Sequence, residues 1–94
     1  MITAIVMIHA EADRIPETAQ AIADIDGVSE VYSCAGDVDL VAIVRVAAHE
    51  DLADLIPAKI GKVTGVVDTD THIAFRSYSR ADTETAFDIG ADGD

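Results

Sequence analysis

The sequence contains an internal repeat, and this repeat constrains the possible folds more than any other feature. The segment "AIVMIHA" at positions 4–10 is echoed by "AIVRVAA" at 42–48, thirty-eight positions later. At the same offset a Gly-Val step and an isoleucine recur: Gly27-Val28 as Gly65-Val66, and Ile22 as Ile60. Each copy reads as an apolar run, an amphipathic stretch and a second extended run. The pattern therefore predicts a β-α-β unit that is used twice.

Local signals set the expected bounds of the elements. The predicted strands are Ile2–His9, Val28–Ala35, Leu40–Val46 and Val66–Tyr78, and the predicted helices run from about Asp13 to Gly27 and from about Glu50 to Lys62. Asp13 is a candidate N-cap of the first helix, and the glycines that follow both helices favour a left-handed stop. Pro57 lies inside the second helix, where it should cause a kink because it has no N–H to donate.

Two right-handed crossovers place the two apolar runs side by side in the centre of one sheet, and we expect these two runs to be parallel. The fold class is α+β: a ferredoxin-like βαββαβ sandwich whose four-stranded antiparallel sheet carries both helices on one face. The other face needs a cover, so we expect a dimer of the dimeric α/β barrel type. We assign residues 1–79 to this domain and residues 80–94 to a polar, acidic tail.

The charge of the chain argues against several functions. Eighteen acidic residues against six basic ones give a formal net charge of −12, and lysine occurs only twice. Because phosphate binding depends on clustered Lys and Arg, we expect no direct contact with nucleic acid. An Asp-rich, Lys-poor surface also suits a salt-rich cytoplasm, in which self-repulsion is screened. We favour a halophilic source, and the alternative is an acidic protein from an ordinary cell.

Hydropathy and cysteine content bound the location and the chemistry. No apolar run approaches the roughly 18 residues of a membrane span, and the N-terminus lacks the marks of a signal peptide. We therefore expect a cytoplasmic protein without membrane contact. The three histidines form no metal-ligand pattern and the single Cys34 excludes an intramolecular disulfide. We predict no metal, no cofactor and no catalytic residues.

Two polar segments remain as candidates for binding. "GDVDL" at 36–40 joins the second and third strands, and a hairpin turn alone explains Gly36 and one of its two acids. "DTDT" at 68–71 begins the last strand, and Thr69 and Thr71 point the same way because strand side chains alternate. A bend with accessible backbone groups, carboxylates for an ammonium and hydroxyls for a carboxylate would suit a small zwitterion.

These same segments carry a resemblance to a known family. "IDGVSEVYSCAGDVDLVAIVRV" followed by "IGKVTGVVDTDTHIAF" resembles the effector-binding (RAM) domain of the Lrp/AsnC, or feast/famine, regulators. The resemblance covers Ile2 to about Tyr78. The usual N-terminal helix-turn-helix is absent from the sequence, since Met1 lies directly before the first strand, so the resemblance implies a stand-alone form of the domain.

The resemblance implies a site, an assembly and partners. It places the effector loop on Gly36, Asp37, Val38, Asp39 and Leu40, and the hydroxyl-bearing segment on Thr69 and Thr71. It implies a dimer that assembles further, commonly into a closed ring of four dimers, with an amino-acid effector bound between dimers. Full-length members of the family are possible co-assembling partners.

Three functional hypotheses stay open on the sequence. The first is an amino-acid sensor that modulates transcription or metabolism through partners, without enzymatic activity. The second is a small dimeric-barrel enzyme, a cofactor-light oxygenase or isomerase, with an acid–base pair such as His9 and His72. The third is a purely structural assembly subunit.

Overall fold

The computed structural model describes residues 1–80. The predicted acidic tail, apart from Arg80, lies outside these described residues. The described chain forms the strands β1 (Ile2–Ala10), β2 (Val28–Ser33), β3 (Leu40–Val46) and β4 (Val66–Ile73), and the helices α1 (Ile15–Ala23) and α2 (Asp51–Leu55). Short 3₁₀ turns at Ala12–Arg14 and Ile60–Lys62 precede α1 and follow α2, respectively.

The strands form one antiparallel sheet in the order β2-β3-β1-β4, which confirms the predicted ferredoxin-like α+β fold. The two apolar runs, β1 and β3, are neighbours in the centre, as expected. Their predicted parallel orientation is wrong, because they pair antiparallel with Ile5 opposite Ile43. The crossover through α1 makes β1 and β2 parallel, and the hairpin then reverses the chain. A strand that inserts between β1 and β2 must therefore run against both.

The core lies between the sheet and the helical layer. Alternate residues of the two central strands are wholly buried on this side: Ala4, Val6 and Ile8 from β1, and Leu40, Ala42 and Val44 from β3. Ile22 of α1 covers them together with the second helical segment, whose predicted apolar positions are all buried: Leu52, Leu55, Ile56 and Ile60. Alternation along two central strands therefore builds one closed core.

Both helices differ from their predicted ends. No side chain caps α1, and the backbone at Asp13 belongs to the 3₁₀ turn that leads into the helix, so the predicted N-cap at Asp13 is wrong. The second helix stops at Leu55 instead of continuing to Lys62. Pro57 has no N–H for the carbonyl of Ala53, so regular helix ends there and a turn carries the chain to Ile60.

The opposite face of the sheet carries no helix of the described chain, and we call it the open face. Its centre is formed by half-buried apolar side chains: Ile5, Met7, Val41 and Ile43. Polar side chains surround them, among them Glu30 and Tyr32 of β2 and Asp70 and His72 of β4. A continuous apolar centre with a polar rim is the pattern of a surface that associates.

Candidate functional site

The predicted effector loop lies where β2 returns as β3. The N–H of Cys34 donates to the carbonyl of Asp39 over 2.9 Å, which closes the turn. Within it, Gly36 has a φ of +122°, a left-handed conformation that side-chain-bearing residues rarely adopt. A Cβ added at Gly36 would meet no atom within 4 Å, so glycine is needed there for its backbone conformation and not for space.

Three consecutive residues at the end of β1 hold this loop. The carbonyl of Ile8 accepts a hydrogen bond from the N–H of Asp39 at 3.0 Å. The ring Nε2 of His9 lies 2.8 Å from the carbonyl oxygen of Asp37. The N–H of Ala10 donates to Asp39 Oδ2 at 2.8 Å. We call this set of contacts the loop clamp.

In the loop clamp, the carboxylate of Asp39 accepts a backbone hydrogen bond that a residue of a longer β3 would otherwise accept. The last β1–β3 pair is Ile8 with Leu40, so the N–H of Ala10 points beyond the end of β3. A backbone donor without a partner strand is costly when it is shielded from water, and the Asp39 carboxylate satisfies it. Because a carbonyl oxygen only accepts, the Nε2 of His9 carries the proton in its contact with Asp37.

The five loop residues differ in what they offer to a ligand. Gly36 and Asp37 are exposed, and Val38 and Asp39 are half-buried. Leu40 is wholly buried on the helix-covered face, where it packs in the core. The groups that face solvent are therefore the peptide units around Gly36 and the carboxylate of Asp37.

The two threonines of β4 share a face but lie apart from the loop. Thr69 pairs with Ile8 and Thr71 with Val6, which puts both on the helix side of the edge strand. Thr69 is half-buried and Thr71 is exposed. Since β1 separates β4 from the loop, the two segments stand about 10 Å apart, two strand spacings. Within residues 1–80, no hydrogen bond joins either threonine to the loop.

The paired histidines of the enzymatic hypothesis do not meet. His72 pairs across β1 with Ile5, four residues from His9 along the strand, which separates the two by about 13 Å. His72 contacts Asp70 Oδ2 at 3.2 Å, whereas His9 contacts the loop. In the described part of the chain, no group of three or more His, Cys, Asp or Glu is placed to hold a metal ion, and no helix is long and apolar enough to cross a membrane.

Two open clefts lie at the other end of the sheet. One, of about 380 Å³, lies between α2 and the end of β3 and is lined by charged groups: Asp26, Arg45, Asp51, Asp54 and Lys59. The other, of about 300 Å³, is lined by Thr3, Arg45 and Arg76 together with Phe75. Neither cleft includes any of the seven predicted effector-binding residues.

An array of polar side chains on the open face did not figure in the sequence interpretation. The Tyr32 hydroxyl donates to Glu30 Oε2 at 2.6 Å, and Glu30 Oε1 lies 3.9 Å from Arg45 Nη1. The hydrogen bond to Glu30, and then the charge of that carboxylate, raise the pKa of Tyr32 above its ordinary value. The signal was present in the sequence as the i, i+2 spacing of Glu30 and Tyr32 on one strand face.

The described chain is a small α+β domain with a four-stranded antiparallel sheet. Residues 3–83 match the family model of the Lrp/AsnC ligand-binding domain, and the chain belongs to this family. The HTH-type transcriptional regulator LrpA of Pyrococcus horikoshii is 34% identical over 59 residues, which are 63% of this chain and 42% of that protein. The chain thus spans less than half the length of that regulator.

Solved structures share the fold of this chain. The crystal structure of TTHA0845 from Thermus thermophilus superimposes with a TM-score of 0.79 at 44% identity, covering 85% of this chain and all of that one. The complex of the regulator NMB0573 from Neisseria meningitidis with L-Met has a TM-score of 0.75 at 11% identity, covering 84% of this chain and 53% of that one. The second likeness concerns the fold alone.

Proposed function

We propose that this chain is a cytoplasmic amino-acid-sensing module that modulates transcription or metabolism through partner proteins, without enzymatic activity and without direct DNA contact. The observation that carries the proposal is the loop at 36–39, which is clamped to β1 and presents an exposed carboxylate in a domain of a ligand-binding family. The net charge of −12 supports action through partners, because it disfavours an approach to phosphate.

The proposed effector site comprises Gly36, Asp37, Val38, Asp39, Leu40, Thr69 and Thr71. Backbone groups near Gly36 engage the ligand, Asp37 or Asp39 draws its ammonium, and Thr69 or Thr71 its carboxylate. Leu40 contributes by anchoring the loop in the core. The family resemblance implies an effector bound between dimers, and neither of the two clefts at the opposite end of the sheet includes a residue of the loop. We therefore place the site between dimers.

The proposed assembly begins with a dimer through the open face. The half-buried apolar centre of this face, Ile5, Met7, Val41 and Ile43, supplies the apolar contact area, and a second copy supplies a matching surface by two-fold symmetry. Further association into a ring of four dimers would bring loops of neighbouring dimers together. Full-length Lrp/AsnC regulators would join through the same face.

The test is a calorimetric titration of the full chain with each protein amino acid, at molar salt and again at low salt. We expect saturable heat from at least one of them, and sedimentation of the protein as a multiple of the dimer. Absence of heat from all of them, together with an unchanged assembly, would refute the proposal. Monomeric sedimentation at micromolar concentration would refute both the assembly and the placement of the site between dimers, while the heat of titration would still test amino-acid binding.

A further inference from the structure

The two aspartates of the loop stand in different environments. Asp39 is half-buried, and both its amide and its carboxylate are bonded to β1, at 3.0 Å to Ile8 and 2.8 Å to Ala10. Asp37 is exposed, and its contact with β1 is through its carbonyl oxygen, which faces His9. The carboxylate of Asp39 is thus engaged in a hydrogen bond to the backbone, whereas Asp37 is exposed to solvent.

We infer that Asp39 and His9 are positioning residues that hold the loop in its binding shape, and that Asp37 supplies the carboxylate that meets the ammonium group of the ligand. This inference rests on the proposed function, and it assigns different roles to the residues of the proposed site. The inference requires a ligand that carries a cationic group, since an exposed carboxylate favours a cation that can donate hydrogen bonds.

The energetics favour this division. A carboxylate that accepts a backbone N–H makes a charge-assisted hydrogen bond, which is about twice as strong as a neutral one. A ligand ammonium that recruited Asp39 would compete with the N–H of Ala10, and losing that bond would leave a partly buried donor unsatisfied. Binding at Asp37 breaks no contact of the clamp.

His9 acts on the same loop from the open face. It shares that face with Met7 and Ile5 of β1, and its ring reaches the Asp37 carbonyl from the side of the sheet. By fixing this carbonyl, His9 sets the orientation of the peptide unit that follows Asp37. A glutamine can offer an amide N–H in place of Nε2–H, whereas an alanine cannot.

The experiment combines two readouts on the full chain. Hydrogen exchange of the peptide covering residues 34–39, measured without any amino acid, reports how firmly the loop is held. Calorimetry with the amino acid that binds the wild type most tightly reports affinity. The matched variants are Asp37→Asn and Asp39→Asn, which remove the same charge, together with Asp39→Ala, His9→Ala and His9→Gln.

We expect Asp37→Asn to weaken binding by about tenfold or more, in the range of one charge-assisted hydrogen bond, with loop exchange unchanged. We expect Asp39→Ala and His9→Ala to speed loop exchange by about tenfold, and His9→Gln to restore most of the protection. Asp39→Asn should weaken binding less than Asp37→Asn, because its amide oxygen still accepts from Ala10.

Several results would overturn the inference. A larger loss of affinity from Asp39→Asn than from Asp37→Asn would make Asp39 the ammonium ligand. Unchanged loop exchange in both His9→Ala and Asp39→Ala would remove the positioning role. If Asp39→Ala failed to fold, the comparison of His9→Ala with His9→Gln would decide that role. Absence of binding to the wild type would refute the proposed function and the role of Asp37. The exchange data would still test whether Asp39 and His9 hold the loop.

Discussion

The two ends of the sheet differ in what they present to a ligand. At the loop end, where β1 finishes at Ile8–Ala10, three hydrogen bonds fix a turn that presents an exposed carboxylate. At the cleft end, around Arg45 and the start of β1, there are two cavities with charged walls. The difference shows that the ordered polar loop and the concave, charged surface lie at opposite ends of the sheet in the described chain, so a ligand that binds at one end can be distinguished from a ligand that binds at the other.

The largest expected effect concerns the packing that supports the loop end. The carbonyl of Gly65 accepts from the N–H of Glu11, just beyond the clamp, and Gly65 has a φ of +100°. A Cβ there would also collide with the Oγ1 of Thr18. We expect Gly65→Ala to lower the free energy of unfolding by more than ~2 kcal/mol, as measured by chemical denaturation.

Gly36→Ala is the matched control for that variant. It imposes the same kind of backbone strain at a φ of +122° but places the new methyl in open space. We expect a loss of about 1 kcal/mol. An equal loss in the two variants would show that the contact with Thr18 contributes nothing.

The second prediction asks whether the loop end depends on a second chain. Ile43 lies at the centre of the open face, opposite Ile5. We expect Ile43→Glu to convert the assembly to monomers in sedimentation and to weaken amino-acid binding by at least about tenfold, because a charge in an apolar interface is costly. The control is Ala21→Glu on the exposed side of α1, which adds the same charge. A monomeric Ile43→Glu variant that binds normally would show that one chain suffices.

The third prediction concerns the cleft end. Arg45 and Lys59 line the larger cavity, and Arg45 lines both. If the ligand binds at the loop end, Arg45→Gln and Lys59→Gln should change amino-acid affinity by less than about twofold in calorimetry. A loss greater than that of Asp37→Asn would transfer the site to the cleft end.

The smallest expected effect concerns the polar side chains of the open face, in which Glu30 contacts both Tyr32 and Arg45. Because the neutral hydroxyl of Tyr32 donates to Glu30, the raised pKa of Tyr32 contributes stability that is present below the ordinary tyrosine pKa. That contribution is lost as the pH rises through the raised value, since a tyrosinate would face the Glu30 carboxylate. We expect Glu30→Gln to lower the pKa of Tyr32 in an ultraviolet absorbance titration, with Tyr32→Phe assigning the signal. An unchanged titration would contradict the contact.

The sequence predicted the layers of the fold well, because alternation and helical spacing are local signals. Leu52 and Leu55 of the second helix are buried as the spacing indicated, and β3 has its predicted bounds. The predicted parallel orientation of β1 and β3 was wrong, since their relative direction depends on where the strand after the hairpin enters the sheet. The end of α2 was wrong because Pro57 terminates the helix where a kink was expected.

The loop could be located from the sequence, but its clamp could not. "GDVD" reads as a turn between two strands whatever its partners are. The contacts of Asp37 and Asp39 with His9 and Ala10 join residues 28 and 29 positions apart, and they depend on the register between β1 and β3. Register is set by the packing of the whole sheet, so residue types alone did not distinguish an aspartate that holds the loop from one that faces solvent.

The most direct test of the central claim is a hydrogen-exchange difference map of the full chain with and without the amino acid that it binds most tightly. We expect slower exchange in peptides that cover residues 34–41 and 66–71, at the loop end. We expect no change in peptides that cover residues 45–59, at the cleft end. Protection confined to the cleft end, or no protection with any amino acid, would contradict the proposed effector site.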